Sequence, residues 1–303
     1  MMWVALAVQM NRRSTPADFM DHFDESFIQL CGPLVEIRRD RSVRFTHLSV
    51  AEYLTNPEDI TTKSPFSVDL GAAHCSTATV CLAYLLNEVA HQPLSGNAST
   101  KAHQQSVLSN YCFLPYVMSF WPIHAAQSLQ RDAEDDPQRP SSGRSTSRDL
   151  IQLLSVLTTN KVLVTTWIEA CWTFGITPTL LEVSDLILEH AGTLHPRYRK
   201  QLTSLGETLR RLSTNLSVLN KNWGKILAVE PNEIWLPSVN AFTDSEFWIG
   251  TDAAKVDILS STEDQRSKAV VSQVSSDGKE VDVIRVWPSK LARFSFRKLD
   301  SYR

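Results

Sequence analysis

The sequence predicts a mainly α chain, α+β overall, that opens on a winged-helix domain, continues as a helical scaffold and closes on a small C-terminal β-rich unit. Three observations carry that expectation. Through most of the first 229 positions, apolar residues recur at spacings of three and four, the mark of amphipathic helices. Two short β-type runs, "LVEIR" and "VRFTH", interrupt them near residue 40. Beyond about residue 230 the texture changes to a series of β-type runs. The domain reading that follows is winged helix over 1–60, a helical domain over 61–130 and a disordered linker over 131–149. A second helical domain over 150–229 ends in a heptad-patterned helix, and 230–303 is β-rich, the start of a propeller-like repeat region.

The elements are justified in order. Trp3, Leu6 and Met10 fall at helical spacing with no capping residue ahead of them, so the chain is expected to begin inside a helix, as the C-terminal portion of a longer protein would. Thr15, Pro16 and Asp18 are helix-start residues, and Phe19, Phe23, Phe27 and Leu30 predict one helix, ended by Cys31-Gly32-Pro33. "LVEIR" and "VRFTH" joined by "RDRS" read as a hairpin. In "SVAEYL", the Ser49 hydroxyl is placed to accept from the Glu52 N–H while Glu52 reaches back, a capping box. Helix, helix, hairpin, helix is the outline of a winged helix.

Residues 70–90 and 106–130 read as buried helices around the loop "QPLSGNASTK", with Pro115 and Pro122 expected to kink or break the second. The stretch "RDAEDDPQRPSSGRSTSRD" at 131–149 has charge, Ser, Pro and Gly but no apolar periodicity, hence the linker. Helices resume at Asp149, with turns near Gly175–Pro178 and Gly192–Pro196. In the last helix Leu202, Leu205, Leu209, Leu212, Leu216, Leu219, Trp223 and Ile226 alternate steps of three and four. Its flanking positions, Gly206, Thr208, Ser213, Asn215, Asn220 and Asn222, carry no charge to select a second copy, so its partner is expected within its own domain. "EIWLPSVNAF", "FWIG", "KVDIL", "KAVVSQV" and "EVDVIRVW" read as strands, with "SSDG" turning between the last two.

Composition excludes several function classes. A formal charge of -3 from 30 basic and 33 acidic residues sets up no field that would draw the chain onto nucleic acid or an anionic membrane. Five cysteines without a CxxC pair indicate reduced thiols and a cytoplasmic setting, not a disulfide framework. No run of about 18 apolar residues is present, and the N-terminal apolar stretch has neither a basic residue ahead of it nor a small-residue cleavage pattern.

His47, Ser49 and Glu52 could form a catalytic trio, but a serine nucleophile sits on a glycine-flanked elbow beside an oxyanion hole, and Ser49 has no glycine near it. No catalytic residue is therefore assigned, and an uncharacterised hydrolase is the third reading. His74, Cys75 and Cys81 do not have metal-ligand spacing, because six residues along a helix rotate a side chain by about 240°. Neither G-x-x-x-x-G-K-[ST] nor G-x-G-x-x-G occurs, so no nucleotide cofactor is expected in this chain. A winged-helix DNA-binding regulator is the second reading, on Arg38, Arg39, Arg41 and Arg44 of the hairpin. Against it, Asp18, Asp21, Asp24 and Glu25 on the preceding helix would repel phosphates.

The segment "RFTHLSVAEYL" resembles the H-x-[ST] and E-[FY] pattern in the winged-helix domain of NACHT-type signal-transduction ATPases, with His47, Ser49, Val50, Glu52 and Tyr53 matching position by position. "CGPLVEIRRDRSVRFTHLSVAEYL", "HCSTATVCLAYLL" and "FLPYVMSFWPIHA" look like blocks of fungal NACHT proteins, relatives of heterokaryon-incompatibility regulators, over residues 1–130; the resemblance over 150–303 is looser. The resemblance implies that His47 contacts the phosphates of ADP held in a neighbouring NTPase module, with Ser49 and Glu52 structural. It implies a non-enzymatic portion serving autoinhibition and partner recognition, with ADP or ATP bound only where the NTPase module is present. The partners it implies are that module and other signalling proteins, with no DNA or membrane.

Overall fold

A computed structural model describes residues 2–39, 42–55, 68–134, 144–193, 196–236, 239, 245–249, 269–274, 280–287 and 290–297. The described fold is mostly helical. Its helices are α1 (Met2–Ala7), α2 (Phe23–Cys31), α3 (Leu48–Thr55), α4 (Leu70–Asn87), α5 (Gln104–Asn110) and α6 (Leu114–Glu134), followed by α7 (Arg144–Thr159), α8 (Lys161–Thr173), α9 (Leu181–Thr193) and α10 (Pro196–Leu227). The strands are β1 (Val35–Ile37), β2 (Val43–Phe45), β3 (Ala269–Val274), β4 (Glu280–Trp287) and β5 (Lys290–Arg297). They form one two-stranded and one three-stranded antiparallel sheet. The chain divides into two units, each discontinuous in sequence: Met1–His91 with Gln104–Thr159 and Thr179–Thr214, and Gln92–His103 with Asn160–Pro178 and Asn215–Arg303.

In the first unit α4 packs against α6 and α7, and α6 against α9. Asp69 starts α4 by accepting from the Ala72 N–H at 3.0 Å. The buried residues of α4 include Cys75, Ala78, Cys81, Leu82 and Leu85, mostly small, which lets neighbouring helices approach closely. On α6 the buried residues Leu114, Val117, Met118, Trp121, Ala125 and Leu129 repeat at three and four. The helix expected over 106–130 is broken between α5, ending at Asn110, and α6, starting at Leu114 just before Pro115, but it runs on through Pro122. Pro115 falls in the first turn, where an N–H has no intrahelical partner to lose, and Pro122 removes one bond from a helix whose neighbouring Trp121 is fully buried.

Two expectations near the chain ends of these helices are corrected. The single helix predicted from Thr15 is split into a 3-10 turn at Pro16–Asp18 and α2 from Phe23. Asp18 accepts from the Thr15 N–H at 2.7 Å and its hydroxyl at 2.8 Å, Phe19 leaves in an extended conformation, and His22 turns left-handed at φ 50°, which no helix tolerates. The linker predicted over 131–149 is entered by helix from both sides, since α6 runs to Glu134 and α7 starts at Arg144. The apolar spacing of Leu150, Leu153, Leu154 and Leu157 draws α7 into the core; residues 135–143 lie outside the described set.

The predicted hairpin forms in register, Val35 opposite Phe45, Glu36 opposite Arg44 and Ile37 opposite Val43. The heptad seam of α10 is covered by its own chain: Leu202, Leu205, Leu209 and Leu212 are buried in the first unit and Leu216 and Leu219 in the second. Gly206 sits so close to α9 that an added Cβ would lie 2.6 Å from Leu188 Cγ.

In the second unit α8 is capped by Asn160, whose side chain accepts from the Leu163 N–H at 3.1 Å. All nine residues from Leu163 to Cys171 are buried, so α8 is enclosed on every side. It ends at Gly175 (φ 71°), with the Ile176 N–H returned to the Cys171 carbonyl at 2.8 Å. The start of the run "EIWLPSVNAF", expected as a strand, instead lies in a 3-10 turn at Pro231–Trp235 packed on α8, and Phe247 and Trp248 of "FWIG" form a bend. Pro231 supplies the fixed φ of a turn start, and a long-range contact of Trp235 described below holds the turn. "KAVVSQV" and "EVDVIRVW" become β3 and β4, and β5 adds a strand that the reading above did not place. "KVDIL" and the "SSDG" turn lie outside the described residues.

Candidate functional site

His47 is delivered by β2. The Thr46 N–H continues the hairpin ladder to the Leu34 carbonyl at 3.0 Å and the Thr46 hydroxyl donates to the Pro33 carbonyl at 2.8 Å, fixing the residue before it. Helix α3 then begins at Leu48, two positions earlier than a Ser49 cap would require. The cap is His47 itself. Its Nδ1 accepts from the Ser49 N–H at 3.2 Å and from the Ser49 hydroxyl at 2.8 Å, while its carbonyl accepts from the Val50 N–H at 3.1 Å. Ser49 lies inside the first turn, so its hydroxyl meets the ring and the Ser49–Glu52 capping box is not formed; Glu52 is exposed. With Nδ1 used as an acceptor, the proton of the neutral ring belongs on Nε2. His47 and Ser49 are both exposed. The sequence thus brought His47 and Ser49 together correctly but assigned the cap to the wrong one.

The other candidates can be placed as well. Cys75, Cys81 and Cys171 are buried, and burial pushes the Cys81 thiol up to about 12, which leaves no nucleophilic thiolate there. Among the described residues no group of three or more His, Cys, Asp or Glu side chains could hold a metal ion.

Two clusters escaped the sequence reading. In the first unit, His74 Nδ1 on α4 lies 2.8 Å from His124 Nδ1 on α6, with ring centroids 5.1 Å apart, and His124 Nε2 lies 2.8 Å from the Tyr116 hydroxyl. Burial, reinforced by His74, holds His124 below the usual histidine range, and burial raises Tyr116. The arrangement ties α4 to α6 through a single shared proton between two imidazoles. The signal was present at and after the start of α6: Phe113, Tyr116, Phe120 and His124 form a ladder of rings at helical spacing, Phe113 and Tyr116 stacked at 5.3 Å and Tyr116 and Phe120 tilted at 4.9 Å. His74 stands 50 residues away, with nothing local to point to its partner.

In the second unit, Glu169 is fully buried in the middle of α8. Its Oε2 accepts from the Leu94 N–H at 3.0 Å and the Trp235 indole N–H at 2.7 Å, and its Oε1 has no hydrogen-bond partner among the described residues. Burial pushes the carboxyl up to about 7, opposed by those two bonds.

No family model matches the chain, and no curated protein or solved structure matches it.

Proposed function

We propose that the chain is a non-catalytic regulatory and interaction portion of a NACHT-type signalling protein, with residues 1–60 acting as its winged helix. The observation that carries this reading is the state of His47. Its Nδ1 is engaged by Ser49, so Nε2–H is the donor an exposed strand-to-helix junction presents outward, at the start of α3. That is suited to a phosphate oxygen of ADP in an adjoining NTPase module. Protein partners are supported by the segment around it: Ile28, Leu30, Leu34, Phe45, Leu48 and Tyr53 are all exposed, and α2 and α3 bury no residue. A non-enzymatic role is supported by the burial of the Cys75, Cys81 and Cys171 thiols.

The transcript upstream of Met1 is the first test: an open frame encoding G-x-x-x-x-G-K-[ST] is expected, and an in-frame stop refutes the reading. In that longer product, His47→Ala is expected to speed ADP release and raise basal signalling; unchanged release would show that the ring only caps α3. The second reading, a DNA-binding regulator, is favoured by exposed Arg38, Arg39 and Arg44 on the hairpin and opposed by Asp24 and Glu25 in the first turn of α2. Submicromolar DNA binding with a steep salt slope would establish it over the first.

A further inference from the structure

Among the described residues Glu169 is the one buried acidic side chain, and what it holds lies far away in sequence. Leu94 precedes it by 75 residues and Trp235 follows it by 66. Leu94 belongs to the segment Gln92–His103, which is without helix or strand and runs as a strap within the second unit. Two further bonds fasten the strap, from Asn232 Nδ2 to the Ala98 carbonyl at 2.9 Å and from the Lys101 ammonium to the Val229 carbonyl. The strap is stiffened internally by the Ser95 hydroxyl, which donates to the Asn97 and Thr100 carbonyls, and by Gly96 at φ 81°. Of the strap's three attachments, the one at Leu94 alone ends on a group that changes charge near neutrality.

The two protonation states of Glu169 are not equivalent in this setting. Neutral, the carboxyl keeps its proton on Oε1 while Oε2 accepts both N–H groups, and no charge is buried. Ionised, it keeps the same two donors, and among the described residues no opposite charge acts on it. The ionisable groups on the described surrounding elements are Lys161 and Cys171 on α8, Lys101 and His103 on the strap, Glu230 and Glu233 at the turn, Lys221 and Lys225 on α10, whose Gly224 meets Trp172, and Glu246 on the segment whose Ile249 N–H donates to Thr165; none acts on Glu169. A buried, uncompensated carboxylate is relieved by admitting water. Lifting the strap or the turn, which hold its two hydrogen-bond donors, would admit that water.

We propose that Glu169 is a proton-dependent latch: neutral, it holds the Gln92–His103 strap and the Pro231–Trp235 turn closed on α8, and ionised, it lets them open. Burial places its working range near pH 7. The latch lies wholly within the second unit and does not depend on the role given to His47.

The test is amide hydrogen exchange at Leu94, expressed as protection over the intrinsic rate, with the Trp235 indole N–H resonance followed in parallel on the whole chain from pH 5.5 to 8.5. Leu94 protection is expected to fall by roughly tenfold or more as pH rises through about 7, with the indole resonance moving over the same range. Glu169→Gln, which keeps the acceptor and cannot ionise, is expected to hold protection constant. Trp235→Phe removes one of the two donors that favour the anion and is expected to move the transition to higher pH, which keeps the test available should Glu169→Gln fail to fold. Protection independent of pH in the native chain, the native profile persisting in Glu169→Gln, or a transition unmoved in Trp235→Phe would each overturn the latch.

Discussion

The Arg12 guanidinium meets the Asp18 carboxylate through two parallel bonds, Nη1 to Oδ2 and Nη2 to Oδ1, each 2.7 Å long. The Arg12 bonds first, then those from Thr15, hold the Asp18 carboxyl well below the usual carboxylate range. An acid depressed in this way contributes stability above its ordinary range and loses it as pH falls toward the depressed value. Carbon-detected NMR should find Asp18 still ionised where ordinary aspartates are protonated, and Arg12→Ala should return it toward them. A normal titration in the native chain would show that the pair does not persist in water.

His124 gives a slope of the same sign in the first unit, at higher pH. Its folded value lies below the usual histidine range, so an unfolded chain takes up a proton that the fold refuses, and stability should fall as pH drops below about 6.5. Urea midpoints at pH 7 and 5.5 test this, with His124→Gln expected to flatten part of the difference. Tyr116→Phe, which removes the hydroxyl from Nε2, should cost about 1 kcal/mol at pH 7.

For Glu169 the sign is that of a raised acid. Between the ordinary glutamate range and about pH 7 the folded state binds more protons than the unfolded one, so stability declines as pH rises, by up to about 3 kcal/mol in all. Glu169→Gln should therefore be more stable than the native chain at pH 8 and close to it at pH 5. Equal gains at both would place the effect in packing instead of charge.

The two glycines of α10 should behave differently. A Cβ at Gly206 would stand 2.6 Å from Leu188 Cγ and 3.2 Å from Ile187 Cγ2, so overpacking of about 1–3 kcal/mol should outweigh the ~1 kcal/mol that alanine gains in a helix. At Gly224 the nearest atom is the rim of the Trp172 ring at 3.3 Å, so alanine should be neutral or stabilising. Thermal melts of Gly206→Ala and Gly224→Ala decide it, and equal shifts would refute the α9–α10 contact.

Leu209→Ala, at a fully buried seam position, should cost about 2–5 kcal/mol, and Ile226→Ala, 42% exposed, should change stability by less than about 1 kcal/mol. Melting should not depend on protein concentration, because the seam is covered within one chain. A concentration-dependent midpoint would mean that two copies complete it.

How much of this was legible follows from the range of each interaction. The α10 seam, the helices α4 and α6 and the β1–β2 hairpin rest on local periodicity and turn residues, and sequence spacing reports those directly. Phe19, Phe23 and Phe27 also had helical spacing, yet the helix fails before Phe23 because Arg12, Thr15 and Asp18 fix a tighter turn upstream. The apolar content of "EIWLPSVNAF" read as a strand, while the structure makes part of it a turn whose indole serves a carboxylate 66 residues earlier. At the candidate site, the sequence singled out His47 and Ser49 but gave the wrong residue the cap, a difference of two positions in where α3 starts. Nothing local could have joined His74 to His124 or Leu94 to Glu169, because each pair is made by the packing of separate helices and loops.

The strap also sets an order of events during synthesis. Residues 92–103 leave the ribosome well before α8, and before the turn that carries Trp235, so at ~5–20 residues per second they wait roughly 7–30 s between Leu94 and Trp235 for the last of their anchors. For most of that interval the first unit is still being completed, since it requires residues up to Thr214. A nascent chain stalled between Glu169 and Trp235 would carry an α8 with part of its cover missing, and the faces of Trp167 and Ile168 would be open to a chaperone.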